Sequence, residues 1–482
     1  METRESLIWE IRGKLQSIED MVFQPFNIHG CSILLLYIRS IVDKRILREQ
    51  IISPILKVGQ SEGVGVSFLE QIENGSLFAM PFKKEREVDN IVDAIVTGSA
   101  VLYIPGLTYM CAFAIDDFAK RAISDSTNEV VLYGPQVAFI ENIDDNLSLL
   151  RQKIKHPDLK TEQMTIGKYT KTIVCISYIE GICKTEVLNE VRMKLSEINI
   201  DGSLGVTYLT EFIEPRPFAM FPQIQYTERP DTVAAALLEG RIAVLQDGTP
   251  YTLILPVTYF SLMQSAEDYY QRFYTSSFTR LIRLMFVFVA TMLPSLYVAV
   301  TTFHPEIIPT SLLITIAAAR ENIPFPALIE AFMMELFFEG LREAGIRIPR
   351  PLGQTVSIIG AIVIGQAAVQ AGIVSAPMVI VVSITGIASF IIPHFELGQS
   401  FRLLRFAILL LGGTLGMLGI VISMYLLYLQ MVSIKSYGVP YLRPFAPVNY
   451  SEMKDAFLRV PRFLQKQRPE SFAGRNKRRG QS

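Results

Sequence analysis

The spacing of hydrophobic and polar positions changes character once along this chain. Up to about residue 280, short apolar runs alternate with amphipathic stretches, the pattern of a mixed helix/strand region. From Leu281 to Met431, apolar runs of membrane-spanning length follow one another. In the first part, Cys31–Ile38 reads as a strand and Lys44–Leu56 as a helical stretch. Val88–Thr97 reads as a helix stopped by Gly98. Ala100–Ile104 then forms a strand, Pro105-Gly106 a turn, and Met110–Ile115 the hairpin partner. The same order recurs in the strand Thr172–Ile179, the helix Thr185–Ile198 and a helix Thr232–Leu238 ending at Gly240. Ile242–Leu245, the turn Asp247-Gly248 and Tyr251–Leu255 complete it. Tyr37 and Tyr178, Gly98 and Gly240, and Val101 and Val244 lie 141 to 143 residues apart. A near-constant offset of like elements predicts two related α/β lobes. Such a module either holds a ligand in its cleft, transmits movement, or offers docking surfaces to neighbouring subunits. Asp116–Thr170 lies between the lobes, with an amphipathic stretch at Asp145–Lys155, and is too long for a casual loop.

In the second part, Ser265–Arg280 interleaves aromatic residues with Arg272 and Arg280, as at a membrane interface. The candidate spans are Leu284–Thr302 with Pro294 inside it, the short Ile307–Ala319, Pro324–Gly340, Gly353–Gly372, Pro377–Ile392 and the long, glycine-rich Phe406–Met431. Arg342, Arg347 and Arg350, and then Arg402 and Arg405, mark loops on the cytoplasmic side. Five crossings from a cytoplasmic N-terminus would put the tail outside, so one segment does not cross fully. The expected fold class is thus a two-lobed cytoplasmic α/β N-terminal module followed by an all-α multi-span membrane domain. Its divisions are lobe 1 (1–120), a connecting segment (121–170), lobe 2 (171–262), the transmembrane domain (263–434) and a basic tail (435–482).

Charge sharpens this picture. The net charge is −1, yet from Lys435 onward eleven Lys and Arg face only Glu452, Asp455 and Glu470, so a tail of +8 opposes −9 elsewhere. That tail either meets anionic lipid headgroups or is a solvated, disordered segment. Met1–Gln16 has no apolar core and does not read as a secretory signal. The four cysteines make no C-x-x-C pair, the histidines do not cluster with them, and no metal or cofactor site is expected. An enzyme reading lacks a nucleophile–base constellation.

Candidate functional residues fall in the apolar half. Thr355, Ile359, Ile362, Gln366 and Gln370 share one helical face, polar at its ends and apolar in the middle, which suits a pore with a hydrophobic constriction. Ser357, Ala361, Gly365, Ala368 and Gly372 form a small-residue stripe suited to close helix packing. The same pattern also fits a helix buried in its own subunit. Glu330 and Glu335, with Glu339 near them, are candidate intramembrane carboxylates: either they serve an ion path, or Glu339 sits at the membrane interface and Glu330 pairs with a partner such as Arg320.

Particular segments carry a resemblance. They are Gly134-Pro135 through Phe139-Ile-Glu141-Asn142, Asn146, Arg151, Tyr178–Gly181, Phe221-Pro222-Gln223, Thr227–Pro230, Leu238–Arg241 and Asp247–Pro250. In the apolar half they are Phe303-His304-Pro305, Arg320-Glu321, Pro324-Phe325-Pro326, Leu341–Gly345, Gly365–Val369 and Tyr437–Tyr441. Together they make the chain resemble the A subunit of the GerA-family spore germinant receptors, from about Tyr133 to Pro447. Glu214-Pro215-Arg216-Pro217 departs from the family, which carries more acidic residues there. The resemblance implies a non-enzymatic protein of the spore inner membrane. It implies work with a transporter-like B subunit and a C-subunit lipoprotein, in contact with membrane lipid and not with nucleic acid. It also implies a homo-oligomer forming an ion-conducting path. The competing reading is a non-conducting membrane scaffold or accessory germination protein.

Overall fold

The computed structural model describes residues 2–28, 31–60, 71–72, 77–117, 129, 131–347 and 365–480. The first lobe opens with helix α1 (Glu2–Lys14) and strands β1 (Met21–Ile28) and β2 (Cys31–Ile38). A helical stretch over Lys44–Gln60 follows, then β3 (Lys83–Glu85), α2 (Val88–Val96), β4 (Ser99–Tyr103) and β5 (Met110–Ala114). The strands form an antiparallel sheet in the order β1-β2-β4-β5-β3. Alternation along β2 feeds two cores. Leu35 points to the helical stretch with Ile51 and Ile55, and Leu36 points to Ile91 and Ile95 of α2 and Ile11 of α1.

The second lobe repeats this plan. Its elements are α3 (Ile143–Lys153), β6 (Leu159–Ile166), β7 (Thr172–Ile179), α4 (Thr185–Ser196), α5 (Val206–Ile213), β8 (Gln225–Thr227), α6 (Pro230–Glu239), β9 (Ile242–Gln246) and β10 (Thr252–Leu255). The sheet order is β6-β7-β9-β10-β8, the same permutation as before. Cys31 of β2 and Thr172 of β7, Val88 of α2 and Pro230 of α6, and Ser99 of β4 and Ile242 of β9 lie 141, 142 and 143 residues apart. Gly98 and Gly240 end equivalent helices at φ +100° and +98°, a conformation that glycine adopts without Cβ strain. One expectation is corrected here. The segment 121–170 is not a mere connection, because α3 is the second lobe's counterpart of α1 and β6 is its edge strand. The second lobe therefore starts at Ile143, not at residue 171.

The lobes are joined by a buried ion pair. Asp20, from the turn before β1, meets Arg151 of α3 at 2.6 Å, and also accepts from Thr161 of β6 at 3.2 Å and Ser40 at 2.5 Å. Burial alone would raise the Asp20 carboxyl pKa, but the Arg151 guanidinium and the added hydrogen bonds hold it below the ordinary carboxylate range. Because the folded value is depressed, this contribution is present above pH ~4 and lost as pH falls through the folded value. Asp20→Asn leaves Arg151 buried without a counter-charge. It should cost about 3 kcal/mol near neutrality and flatten the acid limb of the stability profile, read by thermal unfolding between pH 3 and 7. An unchanged acid limb would remove the pair from the account of lobe docking.

The remaining helices are α7 (Phe273–Phe303), α8 (Thr310–Arg320), α9 (Ala327–Arg347), α10 (Gly365–Gln370), α11 (Ala376–Phe390), α12 (Phe395–Leu415) and α13 (Met417–Ser433). Contacts fix their directions. The foot of α7 and the start of α12 sit on the second lobe, where Phe401 packs on Phe221 and Tyr259. At the distal end Phe303 and His304 lie against Gly416, and Leu328 of α9 lies against Gly413. Glu339 of α9 returns to Arg402, and Ser389 of α11 to Arg342, so α9 and α11 both run from the distal end towards the lobes. Among the described residues, α7 is the one helix long and apolar enough to cross a membrane unaided; α8, α11 and α13 are shorter apolar helices.

The expected single span Phe406–Met431 is corrected to a helical hairpin. Gly416, at φ +62°, ends α12 and begins α13, and Gly412 then faces Ile420 while Gly419 faces the Leu411 carbonyl. A Cβ on Gly419 would lie 2.0 Å from that backbone oxygen. Gly419→Ala should therefore cost about 3 kcal/mol, the upper range for overpacking, as a lowered unfolding midpoint in detergent. A midpoint within experimental error of wild type would mean the two helices do not approach this closely.

The C-terminal residues are corrected too. They are not a solvated, disordered tail, because they fold back on the second lobe, while Lys454, Arg462, Arg475 and Arg478 stay exposed. Tyr441 is fully buried between Phe221 and Tyr259. Ser436 accepts from the Val257 amide and donates to the Gln223 carbonyl, and the Gly474 amide donates to Ile182. Arg443 pairs with Glu452 and Arg479 with Glu239.

Candidate functional site

The sequence places interfacial aromatics and arginines just ahead of the first apolar run. In the structure this segment becomes a charged junction at the foot of α7. Asp268, 2% exposed, accepts from Arg280 Nε at 3.1 Å and from Arg283 through both oxygens at 3.0 Å. Arg280 also meets Asp455 of the C-terminal segment at 2.9 Å. Arg459 of that segment donates to the carbonyls of Asp268 and Gln271 at 2.6 and 2.7 Å and sits over the Tyr269 ring. These groups tie the connector that follows the second lobe, the first apolar helix and the C-terminal segment into one unit. No sequence spacing signalled this cluster, because its members come from segments about 190 residues apart.

Inside the helical half, each expected carboxylate is placed. Glu330, at the distal end of α9, is fully buried and caps α11, accepting from the Ser375 amide at 2.6 Å and hydroxyl at 2.5 Å, with Arg320 at 3.6 Å. Glu335 is fully buried and meets Arg405 of α12 at 3.1 Å. Glu339, nearer the lobes, meets Arg402 at 2.9 Å, Arg342 at 3.6 Å and Arg405 at 4.0 Å. Each of the three carboxylates thus stands beside an arginine of the same chain, and for Glu330 that arginine is Arg320. The topological use of Arg402 and Arg405 as loop residues is corrected, since both lie inside α12 and Arg405 is 0% exposed. Removing either partner of a buried pair strands the other charge in an apolar surrounding.

Of the candidate pore face, Gln366 and Gln370 lie on α10 and are exposed. Thr355, Ile359 and Ile362 lie outside the described residues, as do Ser357 and Ala361 of the small-residue stripe. In the described part of that stripe, Gly365 and Gly372 have the body of the same chain beside them, and Ala368 is half-buried. Gly365 faces Val379 of α11, and Gly372 faces the Asn322 carbonyl at φ +67°. The outer surface of the helices is strongly apolar. Ile380, Ile384 and Ile387 on α11, Leu403 and Leu410 on α12, and Leu418, Val421 and Leu426 on α13 are all exposed. Exposed apolar faces of this kind are what lipid or a partner protein covers. Among the described residues no group of three or more His, Cys, Asp or Glu is arranged to hold a metal. Burial pushes the thiols of Cys111 and Cys175 up to about 12.

The family described as Bacillus/Clostridium GerA spore germination protein matches residues 10–471. The chain is 41% identical to the uncharacterized membrane protein YfkQ of Bacillus subtilis, over 96% of this chain and 90% of that protein. It is 40% identical to spore germination protein KA of the same organism, over 98% and 87% of the two chains. It is 37% identical to spore germination protein B1, over 95% of both. Among solved structures, the N-terminal domain of the A subunit of the Bacillus megaterium spore germinant receptor GerK3 aligns at 32% identity and a TM-score of 0.41, over 52% of this chain and 94% of that one.

Proposed function

We infer the role of this chain from its family: it belongs to the Bacillus/Clostridium GerA spore germination proteins, and is a subunit of that receptor family. The finer reading is a non-enzymatic, multi-pass protein of the spore inner membrane, with its two lobes and folded-back C-terminal segment in the cytoplasm. It works beside a transporter-like B subunit and a lipoprotein C subunit, and several copies assemble around a gated ion path. Exposed apolar faces on α11, α12 and α13 support embedding in lipid. Packing of the basic segment on the second lobe supports a common side for the two, and the positive-inside rule favours the cytoplasmic one.

The observation that carries the conducting reading is on α10. Gln366 and Gln370 are exposed on a helix flanked by apolar ones, while the bundle's carboxylates are paired off internally. An exposed amide pair in an apolar setting favours a water-lined axis shared between copies. The constriction then falls at Ile362, on the same helical face by spacing. Ion flux from proteoliposomes tests this. Ile362→Ala should leak without nutrient where wild type does not, and Ala361→Leu should instead impair assembly. A correctly assembled Ile362→Ala protein with no excess flux would favour the non-conducting scaffold.

A further inference from the structure

The second lobe, the connector leading into α7 and the C-terminal segment line a half-open cavity of about 50 Å³. That is room for roughly three or four water-sized spheres, the size of one small polyatomic ion. Arg241, immediately before β9, lines it and is only 6% exposed. Its guanidinium lies over the Phe472 ring at 4.1 Å, which occupies a face and leaves the N–H edge for other partners. The contacts on that edge are long: Gln225 Oε1 at 3.5 Å and Glu239 Oε2 at 3.5 Å. Its Nε is buried and has no hydrogen-bond partner among the described residues.

The carboxylates lining the same cavity are in the opposite condition. Glu239 takes Arg479 at 2.8 Å, Glu452 takes the Ser471 amide at 2.8 Å and Arg443 at 3.1 Å, and Asp455 takes Arg280 at 2.9 Å. The under-satisfied charge facing this space is therefore positive, and a planar fork of N–H donors is the shape that grips a carboxylate or phosphate oxygen pair. We propose that this cavity binds a small oxyanion, a carboxylate or phosphate group, on the loosely partnered edge of Arg241. The anion would bridge the sheet domain to the segment that grips the foot of α7, so that its occupancy strengthens the link between the lobes and the apolar helices. The site is independent of the ion path and uses none of its residues.

The test is thermal unfolding of the full chain in detergent, with inorganic phosphate or acetate titrated against sodium chloride at constant ionic strength. The expected result is a saturable rise of the midpoint in wild type that is lost in Arg241→Gln and kept in Arg475→Gln, an exposed charge outside the cavity. The anion could come from solution or from a lipid headgroup. The same measurement in nanodiscs containing phosphatidic acid separates the two: a rise there alone, also lost in Arg241→Gln, assigns the oxyanion to lipid. Isothermal titration of wild type with phosphate measures uptake directly, even if Arg241→Gln folds poorly. No saturable uptake in solution together with no Arg241-dependent effect in the nanodiscs overturns the proposal, as does an equal rise in both variants.

Discussion

Replacing Arg405 by Met should lower the stability of the detergent-solubilised chain by about 3–5 kcal/mol, the usual cost of stranding one member of a buried pair. Arg405 is fully buried on α12 and stands 3.1 Å from Glu335 of α9. Met fills much of the arginine's volume, so the loss comes from the uncompensated Glu335 carboxylate rather than from a void. Adding Glu335→Leu should then restore most of the stability, because a well-packed apolar pair commonly matches a buried ionic one. The coupling between the two substitutions, read from unfolding midpoints of both single variants and the double, should be large and opposite in sign to the single losses. A single-variant cost below about 1 kcal/mol would mean that the carboxylate is solvated or finds another partner. The double variant also separates structure from function. If it is stable yet no longer supports spore germination, the charges do more than hold the helices together; if it is stable and active, they serve only to register α9 against α12.

The parts of this fold legible in the sequence are those set by local rules. Strands such as Cys31–Ile38 and Thr172–Ile179 announce themselves through short apolar runs, and Gly98 and Gly240 mark helix ends because only glycine takes positive φ there cheaply. The parts that were not legible depend on distant partners. β6 reads Leu-Lys-Thr-Glu-Gln-Met-Thr-Ile, too polar for a strand by composition. Yet Lys160 and Thr161 are buried in it, because Lys160 reaches the Lys14 carbonyl and Thr161 reaches Asp20. Of Gly412, Gly413, Gly416 and Gly419, which look alike in the sequence, only Gly416 turns the chain; the others allow close helix contact. Arg405 sits three residues after Arg402 and mimics a loop charge, while its partner Glu335 is on another helix. The signature residues Arg151 and Arg229 were recognisable by their company, but their work was not. Arg151 joins the lobes through Asp20, and Arg229 holds the Pro135 carbonyl at 2.7 Å and Asp231 at 2.8 Å. Of the proposed pore face, Gln366 and Gln370 stand exposed on α10, and Ile362 lies outside the described residues.

The junction at the foot of α7 gives the other large expected effect. Asp268→Asn keeps the side chain's shape but removes the negative charge that Arg283 grips with two nitrogens and Arg280 with one. Arg280 retains Asp455, so the stranded charge is chiefly Arg283, which also donates to the Met263 carbonyl. The expected loss is about 3 kcal/mol or more. Its consequence should be local. Arg459 binds the carbonyls of Asp268 and Gln271, so loosening this turn releases the C-terminal segment first. Limited trypsin digestion should therefore cut Asp268→Asn between residues 443 and 468 faster than wild type, while cleavage within the first lobe stays unchanged. Pairing Asp268→Asn with Arg283→Met should slow that digestion back towards wild type, since the stranded guanidinium is gone. If digestion of the segment is unaltered in the single variant, the C-terminal residues are held by Tyr441, Ser436 and the second lobe alone. The charged junction would then not be the link between the lobes and the apolar helices.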